Sequence, residues 1–414
     1  MKKIKLGVIG LGQRGSTILK CILVKYDDVD IVALCDDYKD RVDDIAKIVT
    51  KTKGYTPFCT TDYTEVLTLN DLDAVYIATS WETHVKVAID AMRAGIAVAL
   101  EVGGAYDLDE CFELVRTYEK TNTPFAFMEN CCFNNSELIA TAAARSGLLG
   151  KIVHCSGAYG HDLRKEVTTG NIKRHYRLNN YINRNCENYP THELGPIAKI
   201  LNINRGNKFV SLVSVASGAW GLKKYIEDEK LYEQDPTLNN VHFKQGDIVN
   251  TIITCEGGET ILLTLDTTLP RSYSRALTVR GTKGMYEMDT NSFFIDGMKE
   301  KFDTCSYYKE CIDNAKEYEE RFMPDVWLNM TEEQKETGHG GMDGIMFRVF
   351  VDCLKKGTEF PIDVYDAAAW MCITCISEKS IKENGAPQLI PDFTNGAYKT
   401  RDPLDVMDLS KPKM

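Results

Sequence analysis

The sequence predicts an α/β protein of two domains, an N-terminal doubly wound parallel sheet and a C-terminal α+β domain with a large open antiparallel sheet. Three observations predict it. The chain opens on a buried apolar strand that runs straight into a glycine turn, Lys5-Leu6-Gly7-Val8-Ile9-Gly10-Leu11-Gly12-Gln13-Arg14-Gly15. Apolar strands then alternate with amphipathic helices as far as Asn130. Beyond that point strand-type alternation at short spacing takes over.

The elements follow in order. Strand Lys5–Gly10 leads into helix Ser16–Lys25, and strand Asp30–Cys35 ends at Asp36. Strand Ala74–Ala78 precedes helix Thr83–Ala94, strand Ala97–Glu101 precedes helix Leu108–Thr121, and Phe125–Met128 closes the series. Strands this continuously apolar are covered on both faces, as in a parallel sheet. The boundary falls at residues 129/130, giving domains 1–129 and 130–414. The second domain starts with helix Ser136–Ser146. Strands are expected near Ile152–Tyr159, Phe209–Ala219, Asp247–Cys255, Thr260–Thr267 and Ala276–Met288, with a hairpin at Glu256-Gly257-Gly258-Glu259. Residues 307–335, charged and aromatic, read as a surface excursion, and helices Asp343–Lys356 and Asp366–Asn384 close the domain.

Composition bounds the function. A chain of 414 residues has room for two cores. A net charge of -11 argues against nucleic acid or an anionic membrane as the main partner, because phosphate binding needs clustered Lys and Arg. No apolar run approaches the roughly 20 residues of a membrane span, and no signal-peptide pattern precedes the first strand. The 14 cysteines are scattered, and Cys372-Ile373-Thr374-Cys375 is a lone C-x-x-C in an apolar helical run. Core thiols in a reducing cytoplasm are the expected reading, with no metal site.

Gly10, Gly12 and Gly15 form G-x-G-x-x-G. The first permits the tight turn, the second lets a pyrophosphate approach the backbone, and the third lets helix and strand pack closely. The phosphates then sit at the helix N-terminus. This motif follows a strand, opens a helix and has an acid about 20 residues on, as a dinucleotide site requires. Asp36 is that acid. Its carboxylate suits the ribose hydroxyls and repels a 2′-phosphate, so NAD is expected. Ligands bind at the carboxyl ends of parallel strands, which adds Thr79-Ser80-Trp81-Glu82-Thr83-His84 and Glu101-Val102 to the crevice.

Further on, Tyr189-Pro190-Thr191-His192 sets a tyrosine beside a histidine. With it stand Met128-Glu129-Asn130-Cys131-Cys132, Gly157-Ala158-Tyr159-Gly160-His161-Asp162-Leu163-Arg164, His175-Tyr176-Arg177-Leu178-Asn179 and Gly338-His339-Gly340-Gly341-Met342-Asp343. On these stretches the sequence resembles the Gfo/Idh/MocA oxidoreductases, and within them glycoside hydrolase family 109, the NAD-dependent α-N-acetylgalactosaminidases. The likeness runs over nearly the whole chain. It implies that Gln13, Arg14, Asp36, Trp81, His84, Glu101, Val102 and Asn130 touch NAD. It implies that Tyr159, Arg177, Tyr189, Pro190, Thr191, His192 and Tyr273 line a sugar site, with Tyr189 able to touch both ligands, and that copies associate through the open sheet face. Two departures stand out. Glu101-Val102-Gly103 replaces the Glu-Lys-Pro of many of the dehydrogenases, as in the hydrolase branch, and Glu193 stands where the hydrolases commonly carry Gly.

The resemblance also implies a route to hydrolysis that needs no carboxylate pair, and no such pair is assignable here. NAD takes a hydride from carbon 3 of the sugar, a base removes the acidified carbon 2 proton, and the aglycone leaves by elimination. Water adds, and carbon 3 is reduced again. His192 suits the carbon 3 hydroxyl proton. Tyr159 is the choice for carbon 2, with Tyr273 the rival and Tyr189 alongside, provided cationic neighbours lower the phenol pKa. Arg177 offers a fork of donors for an acetamido carbonyl or a ring hydroxyl. His161 and His175 read as structural, and His339 is left unassigned. Competing expectations are an ordinary NAD-linked sugar or polyol dehydrogenase and a non-catalytic NAD and sugar sensor.

Overall fold

In the computed structural model, which describes residues 3–298 and 311–409, the N-terminal apolar runs become six strands. They are β1 (Ile4–Ile9), β2 (Val29–Cys35), β3 (Phe58–Thr60), β4 (Ala74–Ile77), β5 (Ala97–Leu100) and β6 (Phe125–Phe127). They pair in the order β3-β2-β1-β4-β5-β6, every pair parallel. The order reverses between β1 and β4, the switch point at which such sheets open a crevice. Elements beyond the expected set include the edge strand β3, the helix Lys39–Lys53 and the short helix Tyr63–Val66. The first helix spans Gln13–Cys21 and tightens into a 3₁₀ turn at Leu23–Lys25.

The chain divides into two compact units, Met1–Phe133 with Asn329–Ala368, and Asn134–Leu328 with Ala369–Met414. Within the first unit the helix Met342–Lys356 is fastened to the parallel sheet. Tyr26 Oη donates to Gly344 O at 2.9 Å, Arg348 pairs with Asp28 at 3.0 Å, and the Phe347 and Tyr76 rings meet edge-on at 5.1 Å.

The second unit is built on eight strands among the described residues. They are β7 (Ile152–Gly160), β8 (Phe209–Ala216), β9 (Ile248–Cys255), β10 (Thr260–Asp266), β11 (Thr278–Gly281), β12 (Gly284–Glu287), β13 (Ser292–Ile295) and β14 (Gln388–Leu389). Their order is β13-β12-β11-β7-β10-β9-β8-β14. Pairing is antiparallel except between β7 and β10. The expected hairpin joins β9 to β10, with Gly258 at φ 91° where only glycine is unstrained. The single strand expected over Ala276–Met288 is instead two, β11 and β12, because the chain reverses between them.

One face of this sheet is packed. Val249, Ile253, Ile261, Leu263 and Leu265 are fully or almost fully buried, and the helix Thr191–Ile200 lies so close that a Cβ on Gly157 would stand 2.9 Å from Glu193 Cβ. Of the expected surface excursion, residues 307–310 lie outside the described residues. From 311 onward it is not purely surface, since Ala315 and Phe322 are buried and Tyr318 packs its ring 4.8 Å from that of Phe293. Among the described residues no helix is long and apolar enough to cross a membrane. The C-x-x-C thiols Cys372 and Cys375 form no disulfide among the described residues and donate to backbone carbonyls inside the helix Val364–Lys382.

Ile253, 0% exposed at the centre of β9, should be a keystone of the packed face. Ile253→Ala is expected to cost about 2–5 kcal/mol in urea unfolding followed by circular dichroism, and a cost under about 1 kcal/mol would contradict the packing described.

Candidate functional site

The first candidate site grows from the turn after β1. Gly10 has φ 95°, and a Cβ there would sit 2.5 Å from the carbonyl of Ala78. A Cβ on Gly15 would sit 1.9 Å from Gly10 O. Both positions must therefore be glycine for internal reasons. Gly12 differs, since its added Cβ would meet only Arg41 Nη1 at 3.7 Å. Nothing among the described residues demands glycine there, whereas a backbone opened to a ligand would. The helix Gln13–Cys21 has no side-chain cap and no acid in its first turn, so its terminal N–H groups and positive dipole end suit an anion. The Thr79 hydroxyl, just past β4, is buried without a partner among the described residues. These three features fit a dinucleotide.

Asp36, buried at the end of β2, accepts from Leu11 N at 2.7 Å and Tyr38 N at 3.0 Å, with Arg41 Nη1 3.5 Å away. It thus ties the second strand to the glycine turn. A carboxylate has about four acceptor positions, so two backbone bonds leave capacity for ribose hydroxyls. Trp81 and His84 are buried and rest on the Gly103 backbone, where a Cβ would be 2.3 Å from Trp81 Cδ1 and 2.6 Å from His84 Cε1. Between them Glu82 and Thr83 face solvent. Glu82 takes the Tyr106 hydroxyl at 2.9 Å, and Thr83 bonds Ser80. Gln13 is exposed, and Val102 is buried.

Arg14 is engaged on both sides of its guanidinium. Nε donates to Glu101 Oε1 at 2.9 Å, and Nη1 and Nη2 donate to the two Asp343 oxygens at 2.8 and 2.9 Å. Tyr76 Oη donates to Glu101 at 2.7 Å, Asn130 Nδ2 donates to Asp343 at 2.8 Å, and His339 Nδ1 lies 2.8 Å from Asp343. Burial opposes ionisation of Asp343, but the Arg14 charge and the His339 and Arg14 hydrogen bonds outweigh it and hold the carboxyl well below its usual range. Tyr76, His339 and Asp343 were not among the residues expected here. Asp343 ends one of the motif stretches, but its link to Arg14 spans the sequence and has no local signal.

In the second unit a cluster of rings forms where β7 meets the start of the helix Thr191–Ile200. The centroids of Tyr159 and Tyr189 are 4.8 Å apart, those of Tyr159 and His192 5.4 Å, and those of Tyr189 and His192 4.7 Å. Pro190 caps the helix, Thr191 is fully buried, and His192 is half-buried. Tyr159 Oη lies 3.1 Å from His161 Nδ1, and the His161 ring meets Tyr273 at 5.1 Å. His161, read as structural from sequence, therefore joins the cluster. Residues two apart at the end of a strand share a face, which is the signal that marks it. Arg177 is buried, with Cζ 5.0 Å from the Tyr189 ring centroid and Nε 2.8 Å from Glu166 Oε1. Burial pushes the Tyr159 phenol well above its ordinary value, and the Arg177 charge opposes that shift. Tyr273 is half-exposed and accepts from Arg275 Nη1 at 3.0 Å, while Arg275 pairs with buried Glu137.

Comparison with known proteins places both halves. Residues 4–128 match the profile of the oxidoreductase family with an NAD-binding Rossmann fold, and residues 133–400 match that of the glycosyl hydrolase 109 C-terminal domain. A glycosyl hydrolase family 109 protein of Stenotrophomonas maltophilia is 37% identical, over 98% of this chain and 92% of its own. An alpha-N-acetylgalactosaminidase of Tannerella forsythia is 34% identical, over 97% and 88%. The fold resembles that of myo-inositol 2-dehydrogenase from Lactobacillus plantarum, with a TM-score of 0.65 at 15% identity, covering 94% of this chain and 100% of that one. Levoglucosan dehydrogenase in complex with NADH gives 0.67 at 14%, covering 94% and 100%.

Burial lowers His84 from an ordinary 6.5 to about 4, an effect partly opposed by a backbone bond with Glu101. Folded His84 is thus neutral where the unfolded residue takes up a proton. Its contribution is complete above pH 6.5 and is lost as pH falls toward 4. His84→Gln should flatten the decline of stability between pH 7 and 4.5, by at most about 3 kcal/mol in urea titrations. An unchanged slope would contradict this.

Proposed function

The chain belongs to glycosyl hydrolase family 109, and from that premise we propose that it cleaves α-linked N-acetylgalactosamine, or a closely related sugar, by an oxidation that is undone before the product leaves. The observation that supports this most is the gathering of Tyr159, Tyr189 and His192 around one another, beside buried Arg177, within the family's C-terminal domain. The cofactor is NAD, in keeping with the Rossmann half. Bound NAD supplies reversible oxidation at sugar carbon 3, which acidifies the carbon 2 hydrogen and lets the aglycone leave from carbon 1 before water adds.

The chain's own residues then move protons and hold the sugar. His192 holds the proton of the carbon 3 hydroxyl. Tyr159 takes the carbon 2 proton. Its phenol proton is shared with His161 Nδ1, the group 3.1 Å from its oxygen. The Arg177 charge favours tyrosinate character against the larger cost of burial. Arg177 and Tyr189 orient the acetamido group or a ring hydroxyl, with Pro190 and Thr191 fixing the start of the helix that carries His192. Tyr273 serves as a wall of the sugar site, since its hydroxyl accepts from Arg275 and it stands half-exposed. On the cofactor side, Gly10, Gly12, Gly15 and the first turn with Gln13 and Arg14 receive the pyrophosphate. Asp36 takes the ribose, and Thr79, Trp81, His84, Glu101, Val102 and Asn130 line the crevice. Glu82 and Thr83 act through the turn that sets Trp81 and His84.

That the cysteines among the described residues form no disulfide supports a reducing, cytoplasmic setting. Association into a homo-oligomer through the open sheet face is supported by Val215, Ile252 and Leu389, which are 53%, 51% and 80% exposed. The register sets Ile252 beside Val213 and Leu389 beside Ser211, on one face. Ile252→Lys should shift the protein to a smaller species in size-exclusion chromatography with light scattering, and a wild type already monomeric would contradict the association.

The reaction is tested by incubating the purified protein, without added cofactor, with p-nitrophenyl α-N-acetylgalactosaminide. Nitrophenol should appear without accumulation of NADH. Tyr159→Phe and His192→Ala should each lower turnover by about 10²–10⁴. Stoichiometric NADH from free sugar plus NAD, with no glycoside cleavage, would point to a dehydrogenase instead.

A further inference from the structure

Two segments proposed to serve the cofactor, the glycine-turn helix and the stretch after β6, end on one carboxylate that the reaction does not use. Asp343, in the first turn of the helix Met342–Lys356, is 0% exposed. Its Oδ1 accepts from Arg14 Nη2 at 2.9 Å and Asn130 Nδ2 at 2.8 Å. Its Oδ2 accepts from Arg14 Nη1 at 2.8 Å and lies 2.8 Å from His339 Nδ1. These four contacts fill the acceptor capacity of a carboxylate. The backbone is bent to make them. Gly338, His339, Gly340 and Gly341 all have positive φ, 35°, 48°, 70° and 102°, and a Cβ on Gly338 would stand 2.5 Å from Asp343 Oδ2.

The same geometry constrains Arg14. Its guanidinium carries one positive charge and lies between two carboxylates, Glu101 and Asp343, so the cluster offers no net cation to a pyrophosphate. What Arg14 does supply is a planar fork with three fixed donors, which a lysine ammonium cannot imitate. The fork joins the N-terminus of the glycine-turn helix to the end of β5, and Asp343 joins both to Asn130 beyond β6.

We propose that Asp343 is a positioning residue of the NAD site, which holds Arg14 and Asn130 in place, and that Arg14 serves the cofactor as a rigid tie and not as its counter-charge. The proposal rests on the assignment of the glycine turn, Glu101 and Asn130 to NAD. It is tested by titrating NAD into nucleotide-stripped protein, read by tryptophan fluorescence, with folding of each variant checked by circular dichroism. Asp343→Asn and Arg14→Lys should each weaken NAD binding about tenfold or more, His339→Gln less, and the wild-type affinity should change little between low and high salt. Wild-type affinity in Asp343→Asn, or full rescue by the charge-conserving Arg14→Lys, would overturn the proposal. If Asp343→Asn does not fold, Arg14→Lys and His339→Gln decide, and unchanged binding in both overturns it. Gly12→Val is the separate control. If it binds NAD like the wild type, the assignment of the site itself is wrong.

Discussion

The architecture of the first unit depends on how closely the chain passes itself where β1 and β4 end. The Gly10 backbone lies against the Ala78 carbonyl and the Gly15 backbone against Gly10 O, with no room for a side chain at either glycine. That contact sets the first helix directly over the switch point of the sheet, with its N-terminus uncapped. The rest follows from the need to hold this turn. Asp36 bonds Leu11 N from the neighbouring strand, and Arg14 reaches from the helix to Glu101. A dinucleotide site of this kind is an assembly of strand ends, and its precision comes from the bonds between them.

The second unit poses an electrostatic problem of a different kind. A tyrosine proposed as a base is buried, and burial alone raises its pKa. Arg177 works against that with its positive charge, although Glu166 shares it, and His161 Nδ1 lies within hydrogen-bond reach of the phenol. A phenol hydrogen-bonded to an imidazole can share its proton without forming an isolated charge. This suits a reaction in which acidity is created in the substrate by oxidation, because the base then needs only modest strength.

Much of this was legible in the sequence, and the limits are physical. The parallel strands showed because strands covered on both faces are continuously apolar, and the glycine turn showed because internal clashes dictate Gly10 and Gly15. The edge strand β3 did not, since Phe58 and Cys59 are exposed and carry no burial pattern. The helix Lys39–Lys53 carries its apolar spacing at Val42, Ile45 and Val49 with a left-handed Gly54 after it, so its signal is local to the sequence. The parallel pairing of β7 with β10 could not be foreseen, because register between distant strands leaves no local trace. The same holds for Asp343, whose partners Arg14 and Asn130 are remote in sequence. Tyr159, Tyr189 and His192 stand in the motif stretches, and the spacing of His161 two residues after Tyr159 at the end of β7 is the local signal for its place beside them.

The central claim is that carbon 2 of the sugar loses its proton during a reaction whose net result is hydrolysis. Direct water attack on carbon 1 never breaks that bond. Cleavage of the glycoside in deuterated water, with the released sugar analysed by mass spectrometry and proton NMR, separates the two. The account predicts one non-exchangeable deuterium at carbon 2. A product that retains its original hydrogen at carbon 2 would contradict it.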